Sequence, residues 1–145
     1  MRVCQVFGLG LVVIVLAACA PAPAGGLQVQ NAVIQIPGQA EVGGTAAGYF
    51  TIRNGGAADR LIGVTADIAA AVELHATELQ DNVMSMAPVE GVDLPAGGQA
   101  ELKRGGQHVM FIGLTRVLTV GEKIPLTLTF EHAGALTVEA EVRAP

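Results

Sequence analysis

From residue 27 onward, apolar and polar positions alternate in short runs, and glycine, proline, asparagine or aspartate separates one run from the next. Alternation with period two sends neighbouring side chains to opposite faces, so each run predicts a β-strand with one face against a core. The clearest is PLTLTFEH, where Leu126, Leu128 and Phe130 share one face and Thr127, Thr129 and Glu131 the other. Strands are predicted at 27–36, 46–53, 60–65, 71–79, 83–89, 99–103, 108–114, 124–131 and 136–142. The turn-forming stretches PGQAEVGGTAAG, RNGGAADR, LPAGGQ and KRGGQ fall at the spacing of an all-β sandwich. No run carries three turns of helical periodicity, although TADIAAAVEL leaves room for a short helix. The fold class read from this pattern is all-β, an antiparallel β-sandwich.

The first residues break the pattern. One Arg precedes an apolar run from about Val6 to Ala18, too short to span a bilayer as a mature helix and suited to an export signal. Its end, Leu16-Ala17-Ala18-Cys19, resembles the lipobox of bacterial lipoproteins, in which the signal is cut before the cysteine and the thiol is lipidated. The chain therefore divides into a signal at 1–18, a lipidated Cys19 with a Pro/Ala/Gly tether at 19–26, and one domain at 27–145. The lipid anchor places that domain at a membrane of the bacterial envelope, facing the periplasm. Cys4 lies inside the signal, so the mature chain keeps no free thiol and no disulfide, and packing alone must hold the fold. The net charge of −5, with eight basic residues that form no patch, excludes a nucleic-acid partner.

Histidine and methionine are distributed unevenly. Residues 75–110 hold Met84, Met86 and Met110, together with His75 and His108. Singly each has an ordinary explanation, since methionine fills cores and a lone histidine is commonly a surface or hydrogen-bonded residue. Their arrangement changes the picture. Met84 and Met86 are two residues apart, as are His108 and Met110, so each pair lies on one face of its strand. If Asp81-Asn82 is a two-residue hairpin turn, Gln80 faces Val83, Thr77 faces Met86 and His75 faces Pro88. His75 and Met86 then become diagonal neighbours on one face, with backbones about 7–8 Å apart. Met84 shares that parity one step further out and is a possible auxiliary donor.

Two imidazoles and two thioethers offer neutral, partly soft ligands that suit Cu(I) far better than Zn²⁺, Mg²⁺ or Ca²⁺. The absence of a thiolate excludes the His₂Cys centre of blue-copper proteins. The spacing from His75 through Met86 to His108 and Met110, H-x10-M-x21-H-x-M, resembles the signature of the periplasmic copper chaperones called PCuAC. The resemblance extends over roughly residues 27–143 through AAGYFTIRN, LPAGGQAELKRGGQHVMFIGL and PLTLTFE. It implies a cupredoxin-like sandwich with an accessible Cu(I) site at His75, Met86, His108 and Met110. It also implies delivery of that copper to the Cu(A) domain of cytochrome c oxidase or to its assembly factors. Two features depart from the family. Ala76 stands where relatives can carry a methionine after the first histidine, and there is no His/Met-rich tail after EVRAP, so one copper is the count expected.

The remaining candidates read as structural. His132 is assigned to a turn or the surface, and Tyr49 and Phe50 to packing. Glu73, Glu78, Asp81 and Glu90 form either an acidic rim to the site or ordinary solvated charges. No nucleophile is paired with a base, so the chain is read as a carrier and not an enzyme. The alternatives are a copper-storage or copper-resistance lipoprotein without a dedicated acceptor, and a structural envelope lipoprotein whose methionines and histidines only pack.

Overall fold

The computed structural model describes residues 26–38 and 41–145. The export signal, Cys19 and the tether up to residue 25 lie outside the described residues. Ten strands follow in order: β1 (Leu27–Gln35), β2 (Thr45–Asn54), β3 (Asp59–Thr65), β4 (Ala69–Gln80), β5 (Val83–Pro88), β6 (Val92–Leu94), β7 (Gln99–Leu102), β8 (Gln107–Leu114), β9 (Lys123–Phe130) and β10 (Gly134–Arg143). They form one sheet in the order β5-β4-β8-β2-β1-β10-β9-β3-β6, with β7 paired to β2. β2 divides its length between two partners, taking β8 against Thr45–Gly48 and β7 against Phe50–Arg53. The sheet closes over a single apolar core. Phe50 and Ile52 from β2, Phe111 from β8, and Leu126 and Leu128 from β9 are buried in it.

The alternation read from the chain is the alternation observed. In β9, Ile124, Leu126, Leu128 and Phe130 are buried, with partly or fully exposed residues between them. In β8, Val109 and Phe111 are wholly buried in the core, which turns Met110 to the outer face. Gly48 makes room for them. A Cβ added there would lie 3.0 Å from a ring carbon of Phe111 and 3.2 Å from Val109 Cβ.

Three local features differ from the sequence pattern. TADIAAAVEL forms no helix; β4 begins at Ala69 and pairs with β8 over 69–76, so cross-strand pairing overrides the helix propensity of its alanines. The three-residue β6 is too short for alternation to reveal it, and is held by Asp59↔Leu94 and Leu61↔Val92 pairing to β3. The expected antiparallel pattern has one exception, the parallel pair β1–β10. No hairpin joins those strands, which come from opposite ends of the domain, so nothing forces them to run in opposite directions.

Asp59 ties the β9–β10 turn to β3. It accepts hydrogen bonds from the backbone N–H groups of Arg60 (2.7 Å), His132 (2.9 Å) and Ala133 (2.9 Å), with His132 Nδ1 at 3.2 Å. His132 is thus a turn histidine. Burial opposes the charge of Asp59, but these donors prevail and hold its carboxyl below the ordinary value. A carboxyl depressed in the folded state stabilises the fold fully above its unfolded value, about pH 4, and loses that contribution as pH falls through the folded value. Asp59→Asn should therefore lower stability at neutral pH and flatten its decline below about pH 4. Urea unfolding from neutral to acid pH measures this, and identical acid limbs in the two proteins would refute it.

Candidate functional site

The Asp81-Asn82 turn has φ of 51° and 64°, the pair of positive values that a two-residue type I′ hairpin needs. It sets the register Gln80↔Val83, Thr77↔Met86 and His75↔Pro88 between β4 and β5, as the turn predicts. On its other edge β4 meets β8 with His75 opposite His108 and Glu73 opposite Met110. Because Leu74, Val109 and Phe111 point into the core, His75, His108 and Met110 emerge together on the outer face. Met86 and Met84 share that face by parity, on the hairpin arm where β4 has run past the end of β8.

The two histidines are brought together. Their ring centroids are 6.0 Å apart, inclined at 52°. Imidazoles sharing one ion stand at most roughly 6 Å apart, because each metal–nitrogen bond is about 2 Å, so a small inward movement completes the pair. Each ring also has one nitrogen already engaged. His108 Nδ1 lies 3.0 Å from the carbonyl oxygen of Gly106, which can only accept, so Nδ1 carries the proton and Nε2 is left bare. His75 Nε2 lies 2.8 Å from a carboxylate oxygen of Glu73, leaving Nδ1 as the free nitrogen. A partner on the far nitrogen fixes ring orientation and tautomer, as it does for metal-bound histidines.

The surroundings are graded from buried to open. His108 is 4% exposed, with Tyr49 at 6.3 Å between ring centroids, whereas Met86 is 61% exposed and Met84 66%. Met110 and Met86 lie on opposite diagonals of His75, one toward Glu73 and one toward Thr77. A single ion can therefore gather both only if the arm bends toward β8. Met84, opposite Leu79, lies one strand step further from His75. Cys19 is outside the described residues.

Sequence reasoning missed three neighbours. The sequence leaves Glu73 either in an acidic rim or as an ordinary solvated charge, although its position two residues before His75 on the same strand face is a usable signal. Tyr49 was assigned to packing and lies beside His108. The Gly106 carbonyl is a backbone group that no side-chain motif reveals. Among the described residues no three of His, Cys, Asp and Glu converge into a metal site. Thioether sulfur beside imidazole is a donor set that favours Cu(I).

The LpqE-like family, whose members are described as candidate lipoproteins, matches residues 27–142. The candidate lipoprotein Lxx21020 of Leifsonia xyli subsp. xyli (strain CTCB07) is 30% identical over 122 residues, covering 83% of this chain and 71% of that protein. The copper-bound PCuAC domain of PmoF2 superposes with a TM-score of 0.69 at 27% identity, covering 84% of this chain and 96% of that domain. Apo-DR1885 from Deinococcus radiodurans gives 0.65 at 28% identity, covering 99% and 96%. Its Cu(I) form gives 0.55 at 30% identity, covering 88% and 81%. The likeness to PCuAC domains implied by the ligand spacing is thus present in the fold.

The His108–Gly106 contact predicts a single tautomer. Long-range proton–nitrogen NMR of the copper-free chain should show His108 protonated at Nδ1 and bare at Nε2 at neutral pH. A proton at Nε2 would refute the geometry.

Proposed function

The chain belongs to the LpqE-like family, and from that premise we propose that it is a copper carrier of the bacterial envelope, held at the membrane through Cys19. It binds one Cu(I) through His75, Met86, His108 and Met110 and passes the ion to the Cu(A) domain of cytochrome c oxidase or to the factors that assemble it. The supporting observation is the pairing of His75 and His108 across β4 and β8, each with one ring nitrogen engaged and the other free.

His75, His108 and Met110 sit on strands backed by the core, whereas Met86 stands on the exposed arm. Such a site closes over an ion by moving one ligand and opens by releasing it. An acceptor's donor can enter the shell as Met86 leaves, so the ion is never bare. Thioether and neutral imidazole give the ion no thiolate to retain it, which suits transfer better than permanent tenure. The carrier itself makes and breaks only coordination bonds.

Met86→Leu should weaken Cu(I) binding much more than Met84→Leu, because Met86 is the diagonal neighbour of His75. Leucine conserves apolar volume, so both variants should keep stability within about 1.5 kcal/mol. Competition with a Cu(I) chelator ranks them; equal losses would show that the wrong methionine was chosen.

Delivery is tested by mixing the Cu(I)-loaded chain with an apo Cu(A) domain and following the metal. The ion should move to the Cu(A) domain, and deleting the gene under copper limitation should lower oxidase activity until copper is restored. A deletion that spares the oxidase and makes cells copper-sensitive would replace delivery with storage or resistance.

A further inference from the structure

Among the described residues β5 ends the strand order with no neighbour beyond it, and all six of its residues are exposed. Natural sheets usually blunt such an edge with lysine, proline, a bulge or extreme shortness. The opposite edge, β6, is three residues long and carries Asp93. β5 has none of this along Val83–Ala87, which is uncharged and in unbroken register with β4, and its one proline, Pro88, is its last residue.

The register identifies which backbone groups are free. Thr77 N donates to Gly106 O, away from β5, so Thr77 and Met86 form a non-hydrogen-bonded pair. Alternation makes Leu79 and Met84 another such pair, while Gln80 and Val83 close the turn with hydrogen bonds. The outward-facing groups of β5 are therefore the N–H and C=O of Met84 and Met86, with the C=O of Pro88 at its end. A strand added there sets one of its side chains directly across from Met86, on the face of His75, at a Cβ separation of about 5 Å.

Charge selects the occupant. From Leu61 to Leu102 the chain has seven acidic residues and no Lys or Arg, and exposed Glu78, Asp81 and Glu90 flank β5. Pairing β5 with a second copy of itself would bring these carboxylates together, and an anionic bilayer would be repelled by them. We propose that β5 is the docking edge for an extended segment of the copper acceptor, which adds as a strand and carries a copper-binding side chain flanked by lysine or arginine. This rests on the copper-carrier reading, but docking is measurable without copper.

The probe is a heptapeptide of alternating Val and Thr with a central Met and a Lys at each end, compared with its Glu-ended form. With the full copper-free chain, the lysine peptide should slow hydrogen exchange at Met84 and Met86 by about tenfold or more, as strand pairing does, while the glutamate peptide leaves both unchanged. N-methylation of the pairing edge of the lysine peptide should abolish the effect. The Glu78→Lys/Glu90→Lys variant should reverse the preference and keep Cu(I) affinity within about threefold, since neither residue is a ligand. Equal protection by both peptides, no protection at Met84 and Met86, or protection that follows self-association of the chain would overturn the proposal. If the chain discriminates the peptides as expected yet passes no copper to a Cu(A) domain, the docking edge stands and the acceptor assignment falls.

Discussion

Phe111 lies against the bare Cα of Gly48, with Val109 beside it, and that contact decides which way β8 faces. Strand side chains alternate, so a one-residue slip would carry Phe111 outward and drive Met110 into the core. That exchange would take two wholly buried side chains, Val109 and Phe111, out of the core. The outer face of β8, and through it the pairing of His108 with His75, is a consequence of hydrocarbon packing on the opposite face. The site itself need contribute little to folding.

A graded stiffness follows along β4. Its first eight residues pair with β8 over the core, whereas residues 77–80 pair only with β5. His108 belongs to the stiff part, and its Gly106 hydrogen bond satisfies a ring that burial would otherwise penalise. Met86 belongs to the free ribbon, where side-chain and backbone motions meet little resistance. On the proposed carrier reading, a shell preorganised except for one mobile donor needs little reorganisation to capture an ion and does not seal it in.

Much of this was legible because two-residue periodicity is a local property. Asp81-Asn82 specified its hairpin by itself and so put His75 and Met86 on one face, and the two-residue spacing of His108 and Met110 did the same for that pair; that the pairs meet depends on β4 lying beside β8. What escaped depended on distant parts of the chain. β6 exists because β3 offers it an edge, and β4 starts at Ala69, two residues before the predicted strand, because β8 lies alongside. The parallel β1–β10 pair joins residues about a hundred positions apart, beyond the reach of any periodicity. Glu73 lay within reach of the same parity argument that placed Met86, but charge alone does not distinguish a carboxylate that holds a histidine from one at a rim or in solvent.

The β1–β10 pair also governs when the domain can be complete. Val33, Ile34 and Gln35 align with Glu141, Val142 and Arg143, so the first strand meets its second neighbour only after the last strand has arrived. A chain that emerges N-terminus first from a ribosome or an export channel must wait with that edge of β1 open. A chain that stops before β10 therefore carries His75, Met86, His108 and Met110 yet lacks the strand that completes the scaffold beneath them.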